Sequence, residues 1–341
     1  MLIVGTGMAC PVGLSAASAC AAKRAGISAF SNLPFHDLAG ETVVGATVPG
    51  LDWTASRESR LFELLSMAIA DLFGGQPTAQ WSEMPLLLCL AEAGRPGASA
   101  QVAGSIVKRL QEQLGVQFNS SKSRTFASGH VAGFVALQEA RQLIQRGEVP
   151  GCVICGVDSL LDPETLLTLD RQFRLKTAVN RDGLIPGEAA AVVLVQANTS
   201  VNTDTAVIGL GFGLEQAPIL SGEPLLGHGL AAAARLALAE SKLGLHDMDL
   251  RLSDVTGELY GFKELPLVEG RLMRVVRKKA QLLWHWAEAI GDTGAAAGIA
   301  QLVLADHAFR NGYATGHRAI CLTSSVDGER AAAIVRSSPQ P

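Results

Sequence analysis

The sequence predicts an α/β protein built twice over on one plan, and three observations carry that expectation. Gly133, Leu137, Ala140, Ile144 and Gly147 match Gly298, Leu302, Ala305, Phe309 and Gly312 at a constant offset of 165 (298 − 133 and 312 − 147). Each matched helix ends in glycine and feeds an apolar strand, CVICGVDS in one half and AICLTSSVDG in the other. Over the rest of the chain, short apolar runs alternate with segments of helical period. A strand–helix–strand unit repeated across about half the length implies two α/β halves about a pseudo-two-fold axis. The matched helices, small-faced on several sides, would then pack side by side between two sheets.

Taken in order, Leu2–Val4 reads as a short strand ended by GTGM, followed by a small-residue helix from about Leu14 to Ala25. GTG lacks the GxGxxG spacing of a dinucleotide-binding turn. Residues 30–56 read as irregular apart from a strand near Thr42–Val48. Arg60–Phe73 is strongly amphipathic and ends at Gly74–Gly75, the pattern of a surface helix. Pro85–Leu90 is a buried strand, 91–100 a Gly/Pro loop, and a helix follows from Ala100 to Leu114. The stretch SGHVAGFVALQEARQLIQRG (128–147) reads as a helix buried on more than one side. Its small residues let neighbouring backbones approach, and Gly147 stops it. CVICGVDS follows as a fully buried strand. A helix near Pro163–Arg171 precedes RDGLIPGEAAAVVLVQ, a turn and a long apolar strand at Ala189–Gln196. The polar linker ANTSVNTD is the best internal boundary, giving halves 1–198 and 199–341.

The second half opens with TAVIGLGFG, a strand and a Gly-rich turn. A helix covers Gly229–Ser241 and a short strand Leu250–Ser253. Pro266 is expected to break the chain, and a helix is expected from about Val268 to Ala289, interrupted near Gly270. GDTGAAAGIAQLVLADHAFRNG then leads into AICLTSS, and AAAIVRS closes the chain.

Hydrophobic residues make up 48% of the chain and charged residues 18%, the balance of an interior-rich globular protein. A net charge of −4 argues against a general nucleic-acid binder. No apolar run has the length of a membrane span. The apolar N-terminus carries no basic leader and is broken early by Gly and Pro, so a cytoplasmic protein is expected. Cys152 and Cys155 would point to opposite faces of their strand, which rules out a metal clasp or redox dithiol. The six cysteines read as reduced thiols, and neither metal nor cofactor is expected.

With these elements in place the chain resembles the β-ketoacyl synthases of the thiolase fold over nearly its whole length. LIVGTGMACPVG, the helix–strand unit 130–158, RDGLIPGEAAAVVLV, the SDVTGE turn and IGDTGAAAG carry the likeness. The resemblance implies a thiolase-like five-layer αβαβα architecture, normally dimeric. It also implies a family chemistry in which a cysteine thioester, two histidines and a lysine join an acyl chain to a malonyl unit. This chain is shorter than typical members, so the loops roofing the acyl tunnel are expected to be cut back.

The resemblance fails at the catalytic positions. Matching FASG to the family's CxSG places Phe126 at the nucleophile. The gapless register, which we prefer, places His130 there and brings Cys155-Gly156-Val157-Asp158 onto the family's strand-end glycines and acid. The first family histidine falls at Val255, with Asp254 as the alternative. The second falls at Asp292, and the lysine at Ala287. The C-terminal loop reads Ser325-Val326-Asp327-Gly328-Glu329 in place of the family's glycine-rich gate.

A helix N-terminus lowers a cysteine's pKa but disfavours imidazolium, so His130 should be neutral unless a carboxylate lies close. Decarboxylating malonate needs donors around the developing oxyanion, each worth about 3–4 kcal/mol. Val255 offers none from its side chain, and Asp292, with Asp327 and Glu258, would add negative charge beside an anionic substrate. Condensation is therefore not expected. His130 and Asp292 start the two matched helices, so the fold could pair them, either as a satisfied polar plug or as the base of a hydrolase using Ser128 or Thr293.

Arg271, Arg274, Arg277, Lys278 and Lys279 form the densest basic cluster, spaced to share a helical face. Arg274, Arg277, Lys278 and Lys279 are the candidates for docking an acyl carrier protein. Glu188 reads as a buried structural acid, Arg181–Asp182 as a local ion pair, His285 as an interface or core residue, and His307 and His317 as surface histidines. The favoured function is a non-condensing synthase-like subunit, a homodimer or the partner of an active synthase in fatty-acid or polyketide-type synthesis. The alternatives are an acyl hydrolase or transferase rewired around His130 and Asp292, and an active synthase whose nucleophile lies elsewhere.

Overall fold

The computed structural model describes residues 1–74, 78–98, 102–197, 205–277 and 280–337. The first half begins β1 (Leu2–Ala9), α1 (Ala16–Arg24), a hairpin of β2 (Phe30–His36) and β3 (Thr42–Ala46), and α2 (Arg57–Phe73). It continues β4 (Leu86–Cys89), α3 (Val102–Leu114), β5 (Arg124–Phe126), α4 (Ala132–Gln145), β6 (Gly151–Ser159), α5 (Pro163–Arg171) and β7 (Glu188–Gln196). The second half runs β8 (Thr205–Leu214), α6 (His228–Ser241), β9 (Leu250–Ser253), α7 (Leu259–Leu272) and β10 (Leu282–His285). It closes with α8 (Ala287–Ile290), α9 (Ala297–Arg310), β11 (Arg318–Ser324) and β12 (Glu329–Ser337).

The strands lie in the order β5-β4-β6-β7-β1-β8-β12-β11-β9-β10. β7 runs antiparallel to β1 and β6, while β4 runs parallel to β6 and β5. The other side repeats the plan: β12 is antiparallel to β8 and β11, and β9 is parallel to β11 and β10. The two five-stranded units meet through Leu2 opposite Ala206 and Ile3 opposite Thr205. α2 and α3 cover the outer face of the first unit, and α6 and α7 that of the second. α4 and α9 lie between them, giving five layers, αβαβα.

Position in the layers explains composition. α9 buries twelve of its fourteen residues, because both of its sides meet protein. α2 buries one stripe, Leu61, Leu64, Leu65, Ala68, Ile69 and Leu72, because its other side meets water. Cys152 packs into the central core and Cys155 into the outer core beneath α2, the opposite-face arrangement that strand period dictates.

Several expectations need correction. β1 runs on through the GTGM segment, because β7 pairs with it as far as Ala9. Residues 30–36, expected to be irregular, pair with β3 in a hairpin. Pro266 does not break the chain: it lies within α7, on the side away from the buried Glu264, Leu265 and Val268. The helix expected over Val268–Ala289 does not exist as one piece. α7 stops at Leu272, and Leu282–His285 joins β9 as an edge strand. The proposed boundary at 198/199 and the ANTSVNTD linker from Asn198 onward lie outside the described residues, as do Lys278 and Lys279.

Candidate functional site

His130 sits in a single 3₁₀ turn, Gly129–Val131, that leads into α4. Gly129 has φ 55°, and its N–H donates to Leu90 O, tying the turn to the end of β4. Asp292 follows α8 and is clamped by the PGEAA turn: its N–H donates to Ile185 O, and its carbonyl accepts from Gly187 N–H. The two side chains meet across the central layer, with His130 Nε2–H donating to Asp292 Oδ1 at 2.8 Å. His130 is 6% exposed and Asp292 3%.

The carboxylate that would overturn neutrality is therefore present. Burial disfavours the imidazolium, but Asp292 beside it more than offsets this, and His130 is raised to about 9. Burial also opposes charge on Asp292, yet His130, the Gly294 N–H and Arg95 hold it well below the usual carboxylate range. At neutral pH the pair is ionic, the outcome expected of His130 when a carboxylate lies close. His130 Nδ1 is buried and has no hydrogen-bond partner among the described residues.

Asp254, at the end of β9, is the third member of the cluster. Burial raises it to about 6, against the pull of His130 and of the Ser324 N–H that its Oδ2 accepts at 2.7 Å. Asp254 and Val255 both line a cavity of about 60 Å³ with His130 and Asp292. A second cavity of about 160 Å³ on the other flank of His130 is lined by Glu92, Arg95, Asp292 and Asp327. Arg174 borders both cavities and a wider outer cleft of about 920 Å³.

Other sequence expectations resolve as follows. Phe126 ends β5 and is not at the helix start. Glu258 is not an uncompensated charge, because Arg174 Nε and Nη2 donate to both its oxygens, at 2.8 and 2.9 Å. Ala287 opens α8 and lines neither cavity beside His130. Neither Ser128 nor Thr293 hydrogen-bonds to His130, whose side chain is engaged by Asp292. Asp182 accepts the Leu259 N–H rather than pairing with Arg181. Glu188 is the buried structural acid expected: it is fully buried, bridged by Arg60 and bonded to the Val48 N–H. Arg274 and Arg277 do not share a helical face with Arg271, since α7 ends before Arg274. Arg277 donates to the carbonyls of His246 and Met248 (2.7 Å to the latter) and so is committed to the fold. His285 stacks edge-on against Phe262; His307 is half-buried and bonded to Tyr313, while His317 is exposed and bonded to Ser337.

Sequence reasoning missed Arg95. Its Nη1 donates to Asp158 at 2.6 Å and its Nη2 to Glu92 at 2.7 Å, while Asp158 also accepts from Arg57 and the Ala295 N–H. The acid and base three apart at Glu92 and Arg95 were the available signal.

The two helix starts and the loop at the end of β9 thus meet between two five-stranded units, the layering of a thiolase-like α/β fold. Residues 122–200 match the family model for the β-ketoacyl synthase N-terminal domain. No curated protein matches the chain. Among solved structures, the ishigamide ketosynthase/chain length factor is 18% identical over 99% of both chains, with a TM-score of 0.74. An oxazolomycin ketosynthase domain of Streptomyces albus is 17% identical, covering the whole of this chain and 74% of that one, at 0.80. A type II polyketide ketosynthase complexed with its acyl-carrier protein is 12% identical over 98% of both chains, at 0.77. These likenesses establish the fold. Among the described residues, no helix is long and apolar enough to cross a membrane.

Proposed function

We propose that this protein is a non-condensing ketosynthase-like subunit that holds an acyl thioester without extending it, in polyketide or fatty-acid-type synthesis. One observation carries the reading: the tip of the buried helix bears an ionic His130–Asp292 pair, and no cysteine lines either cavity beside it. All six cysteines are buried, and none lines a cavity described above. Burial pushes all six thiols up, Cys10 and Cys152 to about 12, so none is a thiolate at neutral pH.

A protonated imidazole has no lone pair for attack and no vacancy for a proton. This disfavours the His130 hydrolase as well, since nucleophile and general base both need the neutral ring. What the imidazolium offers is a donor, Nδ1–H, suited to a carbonyl oxygen. Asp254 and Asp292 line the cavity on one flank and Asp292 and Asp327 that on the other, and these carboxylates oppose a malonyl carboxylate on either side.

The chain, its halves divided near 198/199, would form a homodimer or pair with an active synthase, in the manner of a chain length factor, and engage an acyl carrier protein. Six unpaired cysteines favour the cytoplasm. Incubation with acyl- and malonyl-thioesters followed by intact-mass measurement tests the reading. No covalent adduct and no turnover, with co-purification of a second synthase, is the expected result. An acyl adduct on any cysteine overturns it, and turnover lost in His130→Ala would point to the hydrolase instead.

A further inference from the structure

The loop 91–98 stands between two chambers of different character. Glu92, Gly94, Arg95 and Pro96 face the 160 Å³ cavity beside His130. Leu90, Ala91, Ala93 and Ala98 face the other way, into a mostly apolar cavity of about 290 Å³ completed by Leu61 and Ala103. Arg95 holds the loop in place. Its side chain is 8% exposed and bridges Glu92, within the loop, to Asp158, whose side chain is 1% exposed at the end of β6. Asp158 also borders the apolar chamber and is anchored from behind by Arg57 and the Ala295 N–H. An apolar chain leaving His130 for the larger chamber would have to cross a buried ion-paired wall, which costs several kcal/mol per uncompensated charge.

We propose that Arg95 is a specificity-determining residue that confines the His130 site to short acyl groups by walling off the apolar chamber. This rests on the reading that the site holds an acyl thioester. Size follows from volume. A cavity of about 150 Å³ accommodates benzene, six non-hydrogen atoms. The 160 Å³ chamber thus holds a butyryl thioester head, four carbons with oxygen and sulfur. An octanoyl head overfills it, and the mostly apolar enclosed space that would take its tail lies beyond the wall.

Calorimetric titration of the full chain with acetyl-, butyryl- and octanoyl-pantetheine tests this. Acetyl and butyryl thioesters should bind at least tenfold more tightly than octanoyl. Arg95→Ala should raise octanoyl affinity at least tenfold, and adding Ala103→Trp should abolish the gain. Ala103→Trp alone covers the case in which Arg95→Ala does not fold: it should leave butyryl affinity unchanged, because the chambers are separate. Octanoyl binding as tight as butyryl in the unaltered chain, a tenfold loss of butyryl affinity in Ala103→Trp, or no binding of any thioester would overturn the proposal. Intact mass of the same samples separates its failure from that of the non-condensing reading, which falls only if an acyl group is covalently retained or extended.

Discussion

The starts of the two central helices, Ser128–Val131 and Thr293–Ala296, have one backbone and different contents. Ser128 and Thr293 share near-identical dihedrals (φ −119°, ψ 20° and φ −114°, ψ 15°), and Gly129 and Gly294 both take left-handed φ, 55° and 49°. At the second start two carboxylates receive the turn, with Gly294 N–H donating to Asp292 and Ala295 N–H to Asp158. That is the charge a helix N-terminus favours. At the first, position 130 carries an imidazolium, the charge it disfavours. The same Asp292 that crowns the second start compensates the cation at the first. A duplicated scaffold has thus placed a carboxylate and a cation at equivalent ends and joined them across the pseudo-axis.

The largest expected effect breaks that join. Asp292→Asn leaves His130 buried without its counter-charge and should cost about 3–5 kcal/mol in urea unfolding. A loss under about 1 kcal/mol would mean the pair is not ionic.

Next come the matched glycines. Gly129→Ala should cost about 1–2 kcal/mol for the left-handed backbone and somewhat more for Glu92, whose oxygen would lie 2.5 Å from the new Cβ and is held, among the described residues, by Arg95 alone. Gly294→Ala should cost at least about 1 kcal/mol more, because the Asp158 oxygen 2.1 Å away is held by Arg95, Arg57 and Ala295. Equal losses would show the two turns to be equally tolerant.

The pH dependence is gentler. A histidine raised from 6.5 to about 9 stabilises the fold fully below pH 6.5 and loses that contribution as pH rises through 9. The slope is at most about 1.4 kcal/mol per pH unit. Asp254, raised to about 6, lowers stability as pH rises from about 4 through 6, so its penalty is already fully present throughout this window. His130→Gln should flatten the decline between pH 6.5 and 9, and an unchanged slope would assign it to another group. Smallest of all, Ser128→Ala should stay within about 0.5 kcal/mol, because Ser128 makes no side-chain cap bond.

Much of the frame was legible. The 165-residue offset named both central helices, and period-two and period-3.6 patterns found most strands and helices. The errors fall where neighbours overrode local signals. β10 is an edge strand whose LLWH reads equally well as helix, and only its pairing with β9 decides. Pro266 is tolerated in α7 because it occupies the outer side. Of the site, His130, Asp292 and Asp254 were visible as substitutions in motifs. The Arg95–Asp158 and Arg174–Glu258 bridges were not, since they join residues 63 and 84 positions apart.

The sequence by itself determined the duplicated layers and the absence of a cysteine from the buried helix tip, because burial and period are written in local spacing. Only the tertiary structure decided that His130 is a cation and that its cavity is walled from the apolar chamber. Both depend on distances through space between charges in a dry interior, the first across 162 residues of chain, and no local pattern encodes those.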